Sequence, residues 1–269
     1  MLSLDEIRRH YPEKYKGSLF NQHMVKEYLQ TMILNKIIRN KHSQELAFIG
    51  GTSLRFCHGL DRFSEDLDFD FFGKDKESLR DMFNDIGEKI KKEGVNCVIE
   101  HNYTESDNFC RIIFTGLGKI YKLDDPRKKI WIKIDIQKNR TEYKQEFHFI
   151  NRFGFYYPVN LPGKDILLSM KAVALTQRTK ARDMYDFSFL CTNARLNFGY
   201  IQNELKFRGI IIDSPEMLKE IILERENNTD ISEKEHEISL FLIKKENIAR
   251  ITSFYSYISK LNFNELSGV

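Results

Sequence analysis

Between Leu46 and Phe72 the chain reads LAFIGGTSLRFCHGLDRFSEDLDFDFF, and this stretch constrains the fold more than any other. A short apolar run, Leu46 to Ile49, stops at Gly50-Gly51, and Thr52 is a candidate N-cap for a helix of about two turns ending near Gly59. Asp66, Asp68 and Asp70 then alternate with Leu67, Phe69 and Phe71, the period of a half-buried strand, so three carboxylates are expected on one face. Alternate side chains on a strand stand roughly 6.7 Å apart, and two ionised neighbours repel by about 2.5 kcal/mol at an effective dielectric near 20. A bound cation removes that repulsion. Hard oxygen ligands suit Mg²⁺ or Mn²⁺, held by one or two carboxylates together with phosphate oxygens. The glycine turn supplies N-H groups and a helix N-terminus, which attract phosphate.

Two other readings use the same residues. The acidic strand is also compatible with a solvated edge face. Asp66, Asp68, Asp70 and Glu77 fall on loop positions one, three, five and twelve of an EF-hand, but Phe71 takes the place of the turn glycine, and Leu67 and Phe69 favour a strand.

Gly50-Gly51 followed at this distance by Arg62-Phe63-Ser64-Glu65-Asp66-Leu67-Asp68-Phe69 resembles the first motif of the AbiEii/AbiGii nucleotidyltransferase toxin family, within the DNA polymerase β-like nucleotidyltransferase superfamily. The resemblance implies an α+β fold: a polymerase β-like mixed sheet flanked by helices, then a helical C-terminal lobe.

Downstream, Leu79, Met82, Phe83, Ile86 and Ile90 space an amphipathic helix between Lys76 and Glu93, stopped by Gly94. An earlier one runs from Phe20 through Met24, Tyr28, Met32 and Ile37. Val95–Glu100 and Phe109–Thr115 read as strands. A basic link with Lys119, Lys122, Arg127, Lys128 and Lys129 is a solvated loop or a guide for a phosphate backbone. From Ile130 to Gln137 the isoleucines share one face and Trp131, Lys133, Asp135 and Gln137 the other. Asp135 alone reads equally as a surface residue; the superfamily resemblance implies the third acid, which holds metal and accepts the proton of the attacking hydroxyl.

An aromatic β-ribbon is expected over Phe147 to Tyr157. Leu161-Pro162-Gly163 marks the boundary between a catalytic lobe, 1–160, and a helical lobe, 161–269, that contributes to the nucleotide cleft. The second lobe opens with a helix from about Asp165 to Arg178, whose apolar arc contains Lys171 and Arg178. Either these cations snorkel to water or they offset triphosphate charge. Arg182-Asp183-Met184-Tyr185-Asp186 follows, with a structural Arg182–Asp186 pair as the plain reading. A helix lysine followed by Arg-Asp-x-Tyr-Asp is similar to later motifs of the family, which implies that Lys171 serves nucleotide phosphates and Asp186 serves activity, with Asp183 orienting Arg182 or the helix end. The run Glu224–Glu237 reads as a loop or weak helix start.

Composition adds bounds. Lys and Arg exceed Asp and Glu by 42 to 39, a mild bias toward polyanions. The four cysteines are scattered without a Cys-x-x-Cys pair, which points away from a zinc site and toward a reducing compartment. No apolar run reaches membrane-spanning length, and a cytoplasmic protein is expected. The resemblance implies a toxin of a toxin-antitoxin or abortive-infection system, with an antitoxin partner, that transfers a nucleotide from an NTP to an acceptor, tRNA foremost. Mg²⁺ would be held by Asp66, Asp68 and Asp135, and phosphates by Gly50, Gly51, Thr52, Ser53, Ser64, Lys171 and Arg178. Transfer to a small molecule such as an aminoglycoside, or nucleotide or RNA binding without catalysis, are the alternatives.

Overall fold

Apolar runs and alternations in five separated stretches form one mixed sheet in the N-terminal half. The computed structural model describes residues 1–13, 20–74, 77–104, 108–123 and 125–268. Helices α1 (Leu4–Arg9) and α2 (Asn21–Ile38) precede β1 (Leu46–Ile49), α3 (Gly50–Cys57), β2 (Leu67–Phe71) and α4 (Glu77–Lys92). Strands β3 (Cys97–Tyr103) and β4 (Asn108–Phe114), a single turn α5 (Leu117–Ile120) and β5 (Ile130–Lys138) complete the sheet, whose order is β1-β2-β5-β4-β3. Only β2 and β5 run parallel among the paired neighbours. Ile130, Ile132, Ile134 and Ile136 are buried, as the alternation required, because their face covers the core.

A two-stranded ribbon, β6 (Gln145–Arg152) and β7 (Phe155–Pro162), follows. Its turn, Phe153-Gly154, has both residues at positive φ, the geometry that matches strand twist in a tight hairpin. The remainder is helical: α6 (Lys164–Leu175), α7 (Ala181–Leu190), α8 (Phe198–Lys206), α9 (Pro215–Glu224), α10 (Ile231–Ser239), α11 (Ala249–Thr252), α12 (Phe254–Lys260) and α13 (Phe263–Ser267).

The chain resolves into two compact units. The first holds residues 1–58, 63–139 and 147–161; the second holds 59–62, 140–146 and 162–269.

Several local expectations change. Helix α3 starts at Gly50, not after a Thr52 cap; its N-cap is Ile49, with no side-chain cap bond. Helix α2 is buried nearly all round, including Lys26, Glu27, Gln30 and Thr31, so its polar positions are not a solvent face. The basic link contains the turn α5, with Leu117 and Tyr121 buried, and Lys128 bonds Gln22 at 2.7 Å. The polar run after Glu224 forms α10, capped by the Asp230 side chain on the Glu233 N-H. Helix α6 ends at Leu175, before Arg178. The start of α4 at Lys76 lies outside the described residues.

Candidate active site

In the first unit the strand register assembles the acids. Ile49 on β1 is the antiparallel partner of Asp68 on β2, and Asp68 is the parallel partner of Asp135 on β5. Directly opposed residues share a face, so Asp68 and Asp135 stand side by side one strand apart. Gly50 follows Ile49 with φ +76°, and Asp68 Oδ2 lies 2.0 Å from where a Cβ on Gly50 would be. Sterics thus demand glycine here twice, for its backbone and for the carboxylate pressed against it. The glycine turn and the paired acid are in direct contact.

The first turn of α3 comprises Gly50, Gly51, Thr52 and Ser53. The Thr52 hydroxyl donates to the Asp66 carbonyl, and the Ser53 hydroxyl donates to the Gly50 carbonyl at 2.9 Å. Both hydroxyls therefore brace backbone, and what these residues offer an anion is main-chain N-H at the positive end of the helix. Ser64 is buried, and its carbonyl accepts from Gln30 Nε2 at 3.1 Å.

Of the three carboxylates expected on one strand face, Asp68 and Asp70 lie within β2 and share a face. Strand β2 begins at Leu67, so Asp66 precedes it, while Asp70 is 1% exposed and accepts from Gln137 Nε2 at 2.5 Å and from Asn139 Nδ2 at 3.4 Å. Two amide side chains thus donate to Asp70. Asp135 lies 2.7 Å from Lys133, both partly exposed. Among the described residues no three His, Cys, Asp or Glu side chains gather around one point. That donor set, with hard oxygens on Asp68 and Asp135, fits an ion completed by phosphate oxygens of a substrate rather than an all-protein cage.

Sequence reasoning missed what secures this acid loop. Lys26 pairs with Glu65 at 2.6 Å and Gln30 grips Ser64, both from α2. Next to Lys26, Glu27 accepts from Tyr11 at 2.5 Å and from Arg152 at 2.7 Å, and pairs with Arg55 of α3. Burial alone pushes the Glu27 carboxyl up; Arg152 and Arg55 override it and hold it at about 2. The available signal was the polar cluster Lys26, Glu27, Gln30 and Thr31 set among the apolar positions of the helix.

In the second unit Lys171 of α6 reaches Asp183 and Asp186 of α7, each at 2.8 Å. Arg178 bonds Asp183 at 2.8 Å. Asp186 also receives a bidentate fork from Arg62, Nε at 2.8 Å and Nη2 at 2.7 Å. Burial lowers the Lys171 ammonium's affinity for its proton, but Asp183 and Asp186 reverse that and raise it. Burial likewise works against the Asp183 carboxylate, and Lys171 with Arg178 holds it well below the usual range. The expected Arg182–Asp186 pair does not form. Arg182 lies over the Phe241 ring, 5.2 Å from its centroid, Arg62 takes Asp186, and Asp183 orients Lys171 and Arg178. No local spacing shows Arg62 to Asp186, which are 124 residues apart.

The family model described as nucleotidyl transferase AbiEii toxin, type IV toxin-antitoxin system, matches residues 33–250. Two solved structures are similar in fold. MenT4, a nucleotidyltransferase toxin from Mycobacterium tuberculosis, is 16% identical with a TM-score of 0.60, covering 98% of this chain and 92% of its own. JHP933 from Helicobacter pylori is 19% identical with a TM-score of 0.52, covering 92% and 94%. No curated protein matched the sequence.

Proposed function

We propose, from the premise that this chain belongs to the AbiEii nucleotidyltransferase toxins of type IV toxin-antitoxin systems, that it moves a nucleotide from an NTP onto RNA, with tRNA the foremost acceptor. The observation that carries this reading is the seating of Asp68 against Gly50 and beside Asp135, which brings acids and helix-end N-H groups to one place. Asp68 and Asp135, completed by phosphate oxygens of the substrate, would hold Mg²⁺, or Mn²⁺, which when bound offsets the charge that develops on the phosphoryl oxygens, while Asp66 lies just before the strand and, among the described residues, outside any three-acid cluster. The N-H groups of Gly50 to Ser53 orient phosphate. Asp135 takes the proton of the acceptor hydroxyl as its oxygen bonds to the α-phosphorus and the bond to pyrophosphate breaks. Arg62, Lys171 and Arg178 against Asp183 and Asp186 make three cations to two carboxylates. That surplus supports a role for Lys171 and Arg178 in offsetting phosphate charge, with Asp186 holding Lys171 for it.

A separately encoded antitoxin is the partner implied by the family, and action within an abortive-infection response in the cytoplasm, where NTPs and RNA acceptors are, follows from the same reading. Among the described residues no helix is long and apolar enough to cross a membrane. Incubation with each labelled triphosphate, Mg²⁺ and total RNA tests the proposal. Label on RNA that requires Asp68 supports it. Label on a small acceptor, binding without transfer, or an undiminished Asp68→Asn protein overturns it.

A further inference from the structure

The row of paired strands continues outward from the acids. Asp135 is the partner of Phe109, the next row pairs Lys133 with Arg111, and the next pairs Trp131 with Ile113 and, beyond it, Val98. These side chains occupy the face opposite the isoleucine core, and Trp131 is 48% exposed. Cations are interleaved with the rings. The Lys133 ammonium lies 4.9 Å from the Phe109 centroid, the Arg111 guanidinium 5.3 Å from the same ring, and the Lys26 ammonium 5.4 Å from Trp131.

Rings beside cations, on a surface that ends at a proton acceptor, suit unpaired nucleotides. Bases stack on the rings and phosphates meet the cations. Each cation of the face meets an acid, Lys26 with Glu65, Arg111 with Glu100 and Lys133 with Asp135, so it is the rings that favour a nucleobase over a polycationic small acceptor, which has no base to stack. We propose that the sheet face of Phe109, Arg111, Lys133 and Trp131 is the acceptor platform, holding the unpaired terminal nucleotides of an RNA with the reacting hydroxyl at Asp135 and the preceding bases toward Trp131. This inference rests on the nucleotidyl-transfer reading and names where its acceptor lies.

Trp131 is the chain's one tryptophan, so intrinsic emission reports this face alone. Titration with a short single-stranded RNA of mixed sequence quenches the emission saturably, and binding weakens with salt. Trp131→Ala weakens binding of labelled RNA, read by anisotropy, by about fivefold or more, while Trp131→Phe retains most of it. Arg111→Gln lowers the slope of log affinity against log salt by about 0.7. In all three variants the affinity for triphosphate is unchanged. An emission that RNA leaves unaltered, an emission that answers only a protein partner, or wild-type RNA binding by both Trp131→Ala and Arg111→Gln overturns the platform. Failure of the two readings is separable. Label entering RNA without quenching removes the platform and leaves transfer standing, whereas quenching without transfer to any acceptor does the reverse.

Discussion

Gly50 places two demands on one Cα: a positive φ and a carboxylate where a side chain would begin. Gly50→Ala is expected to cost about 1–2 kcal/mol through its backbone alone and to displace Asp68 as well. Nucleotidyl transfer should therefore fall by far more than a thermal melt would suggest, which paired activity and melting measurements check. Asp70 gives the opposite pattern. Its removal in Asp70→Ala strands the amides of Gln137 and Asn139, a loss of about 1–3 kcal/mol in urea unfolding, with kcat kept within a few-fold. The alternation of Asp66, Asp68 and Asp70 was legible in the sequence. That only Asp68 sits against the glycine while Asp70 is claimed by amides was not, since Gln137 and Asn139 reach it from another strand's end.

Helix α2 anchors the acid loop and α3 together, through Lys26 and Gln30 on one and Glu27 on the other. Glu27 carries a pH signature. Its folded carboxyl, held at about 2 against an ordinary 4.5, contributes stability that is complete above pH 4.5 and is lost as pH falls toward 2. The contribution is on the order of 3 kcal/mol. Glu27→Gln should lower the urea midpoint at neutral pH, and the gap between the two proteins should narrow as pH drops from 5 to 3. A gap that stays constant over that range would show that Glu27 is not held as an ion. The strand periods of β2 and β5 and the helical period of α4 were readable because side chains there answer to one buried face. Helix α2 misled because its polar residues are buried by partners on α3, β6 and the acid loop, and period alone does not reveal partners.

At the scale of the molecule, the chain crosses between its two units more than once, and residues 59–62 belong with the C-terminal helices. Arg62 is almost fully buried there and forks onto the wholly buried Asp186. A fragment of residues 161–269 lacks Arg62 and leaves part of that charge uncompensated, a penalty of about 3–5 kcal/mol. It should show no cooperative thermal transition by circular dichroism, whereas the full chain does. The full-length Arg62→Ala variant should show a lowered transition for the same reason. Residue order by itself determined the strand carrying the acids, the glycine turn before it, the alternating strand that brings Asp135 and the helical character of the last hundred or so residues. Each of these is written in contiguous residues whose spacing matches a backbone period. Only the tertiary structure decided which acids pair, that Thr52 and Ser53 brace backbone, that Asp186 belongs to Arg62, and that aromatic and cationic side chains line up beside Asp135. Those outcomes depend on register and on charges that meet across long stretches of chain, where burial makes an unpaired ion costly and so selects partners that no local pattern encodes.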